Sequence, residues 1–360
     1  MFGEDQFRGI QIYDIIQDDK LNYWFATNEG LYYYDYYQFH KVECADAKSN
    51  SVFNFAGDEK GAIYCHNLNG QVFKIKENKC TVFYELKEDE IHNDVSLIIA
   101  KDGSLIIGAK KGIVLNENGS IKNLFKTNGK SFGQPYTNSN NETIFHLSAS
   151  DSILKYKQGV LEYSTLTNLL KDQDGYVLLS FFKVGKREFA VDKKLKILYQ
   201  FDSKTNHLIP LESNELFNRS QAIRLYPVEE KLWVAGTLPG VSLYDENVLP
   251  IGKINYEDYF ISDIFKDHEG NILISTFDKG VLIIPDLNVP DVIQSFKDDP
   301  INSLFGSNSA GLLMGSSQGK LFTFKDGTVK PLITKGQRPI EGIYGFHGTE
   351  IIILDNGTLQ

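Results

Sequence analysis

A chain of 360 residues, 42 % hydrophobic and 23 % charged, is long and apolar enough to bury a large core as one big domain or two smaller ones, which excludes a disordered chain. No apolar run approaches the roughly 18 residues of a membrane helix, and the acidic, mixed start MFGEDQFRGI reads as no secretory leader. A formal charge of −10, spread without blocks, argues against nucleic acid and anionic membrane as partners, since both need a concentrated Lys/Arg face, and leaves small molecules and proteins.

Helical periodicity is nearly absent. Apolar residues come in runs or alternations of four to eight, rich in Ile, Leu, Val, Phe and Tyr and punctuated by Gly, Asn and Asp, which is the pattern of strands. In chain order, one unit of strand, turn, strand, Gly, strand recurs as YDIIQDDKLNYWFATNEGLYYYD, FNFAGDEKGAIYCHNLNGQVFKI and VSLIIAKDGSLIIGAKKGIVLNE. Two degenerate copies follow, YTNSNNETIFHLSASDSILKY from Tyr136 and LLSFFKVGKREFAVDKKLKILYQFD from Leu178. Clearer copies return with IRLYPVEEKLWVAGTLPGVSLYD, SDIFKDHEGNILISTFDKGVLIIPD and NSLFGSNSAGLLMGSSQGKLFTFKD, and a ninth, GIYGFHGTEIIILDNGTLQ, stops in mid-unit. The clear copies carry their glycine at Gly30, Gly70, Gly112, Gly240, Gly280 and Gly319.

A period of about 40 residues is the length of a four-stranded propeller blade, and a unit that thin buries its two faces only by stacking against neighbours around an axis. The expected fold is therefore all-β, a seven-bladed β-propeller over residues 1–290, with 291–360 opening a second propeller. An eight-bladed single ring is the alternative. Ring closure is expected to use the segment near Phe7 as an outer strand of the last blade, covering an exposed edge.

Stacking on both sides explains the tyrosines Tyr32, Tyr33, Tyr34, Tyr36 and Tyr37 as packing residues, with Tyr36 and Tyr37 the exceptions nearest the rim. Trp24 and Trp233 share one column with Tyr64, Ile106, Leu273 and Leu313, and a column that accepts all these shapes is a buried one. Cys44, Cys65 and Cys80 are odd in number and lack a C-x-x-C, so they read as buried free thiols, with one incidental disulfide as the alternative.

An Asp or Asn turn followed by YWFATNEGLYYYD or LWVAGTLPGVSLYD resembles the two-component regulator propeller repeat of the extracytoplasmic sensor regions of bacterial hybrid two-component regulators and sensor histidine kinases. The first repeat matches best, the sixth well, the fourth and fifth poorly. The resemblance implies a periplasmic sensor segment of a longer protein, itself non-catalytic and without cofactor, that binds a small molecule or oligosaccharide. It also implies a homodimer in the parent sensor and a histidine kinase, reached through a membrane helix, that lies outside this sequence.

The innermost strand of each blade lines the channel, and counting about 16 residues back from each glycine or its equivalent gives Asp14, Asn54, Ser96, Tyr136, Ser180, Arg224 and Asp263, with Ser303 as an eighth. A polar residue kept in one register of apolar strands marks a register that faces water or ligand, because burying it unpaired costs roughly 1–3 kcal/mol. Arg224 is the only cation in this column. In a seven-bladed ring Asp263 is its neighbour and Asp14 stands one blade beyond, so the guanidinium either joins an internal ion pair or presents its fork to a ligand.

No nucleophile elbow, phosphate-binding glycine loop, Asp-box or helical His pair occurs in the sequence. KDQDGY at 171–176 reads as a turn, since it lacks the closing Glu of a calcium loop. The alternative functions are a metal-dependent lyase resembling virginiamycin B lyase, for which His146 or His268 would be offered, and a protein-binding scaffold. Neither histidine falls in the axial column.

Overall fold

The computed structural model describes residues 2–91, 95–126, 132, 134–170, 177–192, 194, 196–211, 223–236, 240–254, 259–277, 279–285, 296, 298–307, 311–325, 328–333, 338–346, 350–355 and 358–359. The turn expected at 171–176 lies outside them. The chain divides into two compact units, Met1–Pro285 and Asp286–Gln360.

Among the described residues the first unit holds seven antiparallel sheets, each a meander with its strands in chain order. The first is β1 (Ile12–Gln17), β2 (Tyr23–Thr27), β3 (Gly30–Tyr34) and β4 (Phe39–Val42), and the second is β5 (Phe53–Gly57), β6 (Ile63–His66), β7 (Gln71–Lys76) and β8 (Lys79–Glu85). The third is β9 (Ser96–Ile99), β10 (Leu105–Gly108), β11 (Lys111–Leu115) and β12 (Ile121–Lys126), and the fourth is β13 (Tyr136–Thr137), β14 (Thr143–His146), β15 (Ser152–Lys157) and β16 (Val160–Thr165). The fifth is β17 (Leu179–Val184), β18 (Arg187–Asp192), β19 (Ile197–Asp202) and β20 (His207–Pro210), and the sixth is β21 (Ile223–Val228), β22 (Lys231–Gly236), β23 (Val241–Tyr244) and β24 (Pro250–Ile254). The seventh has β25 (Ile261–Lys266), β26 (Ile272–Thr276) and β27 (Val281–Ile284).

These sheets form a β-propeller. β1 lies against β5 on one side and against β25 on the other, so the last sheet meets the first. The N-terminus completes the seventh sheet, because Phe2 and Val281 exchange both backbone hydrogen bonds, at 2.9 and 3.0 Å. The closing residue is thus Phe2, not Phe7. Phe7 is fully buried five residues on, packed edge-on to Tyr32 and Phe39, and its ring acts as the plug beneath the closing strand.

The seams between sheets carry the core. Trp24 and Leu31 meet Ile63 and Phe73 across the first seam, Ile106 and Val114 meet Phe145 and Leu154 across the third, and Phe25 and Tyr32 meet Leu273 and Val281 at the closure. Because every sheet is covered on both faces, the second strands are apolar without alternation: every residue of β2, β6, β10, β14 and β26 is buried. The Trp24 and Trp233 column is buried throughout, as are Tyr64, Ile106, Leu273 and Leu313. Tyr32 is buried, Tyr33 stacks on Trp24 at 5.0 Å, and the two rim residues emerge, Tyr36 at 45 % and Tyr37 at 92 % exposure.

Between inner and second strands the Asp and Asn turns hold themselves. Asp18 Oδ1 accepts the amides of Lys20 and Asn22, and Asp58, Asn138 and Asp267 repeat that i+2, i+4 pattern. Their second oxygens reach further: Asp18 Oδ2 accepts from Trp24 Nε1 at 2.9 Å, and Asp267 Oδ2 accepts from Tyr23 of the next sheet at 2.7 Å.

The cysteines depart from the expected three free thiols. Cys44 and Cys80 form a disulfide, their Cα atoms 4.6 Å apart, and only Cys65 is free and buried. Cys44 follows the outer strand of sheet one and Cys80 lies in the outer strand of sheet two, so the bond staples two blades at their rim.

The second unit has a four-stranded sheet, β28 (Ile301–Ser307), β29 (Gly311–Ser316), β30 (Leu321–Lys325) and β31 (Thr328–Ile333), and a three-stranded one, β32 (Gly342–Phe346), β33 (Glu350–Asp355) and β34 (Thr358–Leu359). Leu313, Leu321, Ile340 and Ile343 form its core.

Candidate functional site: the axial strands

All seven residues of the proposed column lie on the inner strands β1, β5, β9, β13, β17, β21 and β25. Ser303 occupies the same place on β28, in the second unit, where its hydroxyl donates to Ile340 O at 3.4 Å. The strands bulge at this column: pairing shifts between Ile12 and Asp14, between Phe53 and Ala56, between Ile261 and Asp263, and between Ile301 and Ser303. The extra residue at three of these bulges is the one before the column, Tyr13, Ser262 or Asn302, and the local bend it introduces sets the register of the polar residue that follows.

What the column does divides around the ring. On one side it laces strands together. Asp263 Oδ2 accepts the Ile15 amide at 3.1 Å, Asp14 Oδ2 accepts the Phe55 amide at 2.7 Å, and Asn54 Oδ1 accepts the Leu97 amide at 2.7 Å. Each of these acceptors satisfies a backbone donor of the following blade, so β25, β1, β5 and β9 are joined through side chains where no sheet joins them. Burial first, and then the neighbouring Asp263 charge, push the Asp14 carboxyl well above the usual carboxylate range. Asp263 is also raised by burial, although the Ile15 amide, Asp14 and the Arg224 guanidinium draw it back. The two carboxyls sit in one field, so the charge of Asp263 disfavours ionisation of Asp14.

Arg224 makes no contact ion pair among the described residues. Its Nη1 donates to Ser262 O at 2.8 Å, and its guanidinium lies 5.2 Å from the centre of the Phe277 ring. Tyr226 donates to the same carbonyl at 2.7 Å. The residue is exposed, so the rest of its fork is open to solvent.

On the other side the column borders a cavity of about 320 Å³. Tyr136 and Ser180 belong to its wall, with Thr137 and Lys183 beside them. Ile98, Pro135, Leu225 and Pro227 supply its apolar surface. The cavity lies beside β13, which is two residues long where the other inner strands have four to six. Burial first, and then the charge of Glu188, push the Tyr136 phenol up. Ser96 packs its hydroxyl against Gly108, where a Cβ would come within 2.5 Å of it.

His146, offered in sequence only for the lyase alternative, is buried on β14 and has a bridging role that the sequence did not disclose. Its Nδ1 accepts the Leu179 amide at 3.1 Å and its Nε2 donates to Ser150 O at 2.9 Å, which fixes a neutral tautomer and takes over the lacing role that short β13 cannot fill. The signal was available in the poor match of the fourth repeat. His268 is bonded to Gln17 Oε1 at 2.7 Å. Among the described residues no three His, Cys, Asp or Glu side chains converge as metal ligands.

No family model matches the chain, and no curated protein matches it in sequence. Solved structures do match. The extracellular domain of a B. thetaiotaomicron protein assigned as a hybrid two component system is similar over 98 % of this chain and 50 % of its own length, at 15 % identity and a TM-score of 0.57. A second such domain from the same organism is similar over 95 % of this chain and 50 % of its own, at 17 % identity and a TM-score of 0.54. Virginiamycin B lyase from Staphylococcus aureus is similar over 75 % of this chain and 93 % of its own, at 10 % identity and a TM-score of 0.61. At these identities the likeness is one of fold, and the chain spans half the length of the two-component domains it matches.

Proposed function

We propose that this chain is an extracytoplasmic, ligand-sensing propeller segment of a two-component sensor, not itself an enzyme, whose ligand is a small molecule or an oligosaccharide. The observation that carries this reading is the match to two-component extracellular domains over nearly the whole chain, second unit included, together with a cavity at the inner strands. Residues 1–290 are read as a seven-bladed ring and 291–360 as the opening of a second propeller. The rim disulfide agrees with an oxidising, periplasmic setting.

In this reading Tyr136, Ser180 and Arg224 of the column meet the ligand, while Asp14, Asn54 and Asp263 lace the ring rigid around it and Ser96 packs against Gly108. A ligand shifts the balance between two arrangements of a homodimeric parent only by its differential affinity for them, and the signal passes to a kinase outside this sequence. A thermal-shift screen across oligosaccharides and small metabolites tests the reading, because specific binding raises stability by mass action. A specific rise that Arg224→Ala or Ser180→Trp weakens is the expected result; a flat response across every class counts against it.

The lyase reading draws on the fold likeness to virginiamycin B lyase. The histidines offered for it are committed elsewhere, His146 through both ring nitrogens and His268 through Gln17. A stoichiometric divalent ion held near the axis would restore it.

A further inference from the structure

Lys183 is the anomaly of the cavity. Several lysines of the third and fourth sheets are paired, Lys101 with Glu59 at 2.5 Å, Lys122 with Asp102 at 2.9 Å and Lys157 with Glu142 at 3.6 Å. Lys183 is half-buried in the cavity wall, yet among the described residues it makes no ion pair and no hydrogen bond. Its cross-strand partner is Glu188, the obvious counter-ion, but that carboxylate turns to accept the Ser139 amide at 3.3 Å and lies beside the Tyr136 phenol. In a chain of 47 acidic against 37 basic residues, a lysine left without a carboxylate inside a cavity is not explained by scarcity of acids.

A partly desolvated ammonium without a partner is costly, and a ligand carboxylate relieves that cost. The remaining wall sets the rest of the molecule. Ile98, Pro135, Leu225 and Pro227 offer apolar surface, Ser180 and Thr137 offer hydroxyls, and about 320 Å³ is at the small end of ligand sites. We infer that the cavity beside β13 takes a small carboxylic acid, its carboxylate on Lys183 and its apolar body against Ile98, Leu225 and Pro227. This inference rests on the reading of the axial cavity as the ligand site, and it deepens that reading from an unspecified ligand to an anionic one.

Isothermal titration of the whole chain with 3-phenylpropionate, galacturonate and their uncharged counterparts 3-phenylpropanol and galactose tests it, in the parent and in Lys183→Met. The expected result is that 3-phenylpropionate binds about tenfold or more tightly than the alcohol, the range of a charge-assisted hydrogen bond, and that Lys183→Met erases the difference without lowering the thermal midpoint of the free protein. The same preference shown by galacturonate over galactose keeps the carboxylate on Lys183 and assigns it a hydroxylated body. Acids that bind no better than their counterparts, acids that fail to bind at all, or a preference that survives Lys183→Met overturns the inference. The two readings fail separately: a neutral ligand blocked by Ser180→Trp leaves the axial site standing without its carboxylate, whereas a ligand indifferent to both substitutions removes the site as well.

Discussion

Asp263, Asp14 and Asn54 each accept an amide that the neighbouring inner strand cannot pair within its own sheet. Asn54→Ala removes the acceptor of the Leu97 amide, and a loss of about 1–3 kcal/mol in urea unfolding is expected. Asp14→Asn should behave oppositely, since the carboxamide keeps an acceptor for the Phe55 amide, as Asn54 does for Leu97, and removes the titrating group. The sign follows from the raised Asp14 carboxyl. Unfolded, it ionises near pH 4, whereas folded it keeps its proton to higher pH, so the folded state binds more protons in that window. The stabilising contribution of the protonated form is full below about pH 4 and is lost as pH rises through the folded value. Urea titrations at pH 4 and pH 8 should find Asp14→Asn close to the parent at the lower pH and more stable than it at the higher. The tryptophans offer a second residue-scale test. Trp24 Nε1 donates to Asp18, whereas buried Trp233 Nε1 has no hydrogen-bond partner among the described residues, because its hairpin turns at Glu229 and Glu230 without an Asp or Asn. Trp24→Phe should therefore destabilise by about 1 kcal/mol more than Trp233→Phe in the same urea measurement. The buried column and the polar column were both legible as recurrences of residue type. The lace was not, because a bulge and the aim of a carboxylate depend on the strand next door, which no single repeat contains.

Among the elements, the closing strand and the rim staple hold the ring where sheet pairing ends. Gly280 has φ +83°, and a Cβ there would lie 2.7 Å from Phe2 O, so both its conformation and its lack of a side chain admit the closing strand. Gly280→Ala is expected to release residues 2–10, seen as faster amide exchange at Phe2 and Val281 and a stability loss of about 1–2 kcal/mol from the left-handed conformation alone. Reducing Cys44–Cys80, which are 36 residues apart, should lower stability by about 3–4 kcal/mol in the chain-entropy estimate, measured as the unfolding midpoint with and without reductant. Closure by the N-terminus was readable from the need to cover an edge, but its residue was not, since Phe2 and Phe7 are equally apolar and only the turn between them decides which one pairs. The disulfide was hidden for a related reason. Three cysteines carry no even framework, and the pairing appears only when two outer strands lie side by side. β13 borders the cavity, and its degenerate repeat was visible in sequence without disclosing the cavity beside it.

The first unit combines side-chain lacing of the inner strands β25, β1, β5 and β9 with a cavity beside β13. Repetition made the architecture legible, because copies too thin to fold alone have few ways to stack. In the proposed function, ligand binding lies in the departures from repetition, at β13, Lys183 and Arg224, and those acquire meaning only in three dimensions. The most direct test is amide hydrogen exchange on the whole chain with and without whichever compound raises its thermal midpoint. The account predicts protection concentrated at residues 134–137, 180–183 and 225–227, the three segments around the cavity. Protection confined to the outer strands or the hairpin turns, with those three segments unchanged, would contradict it.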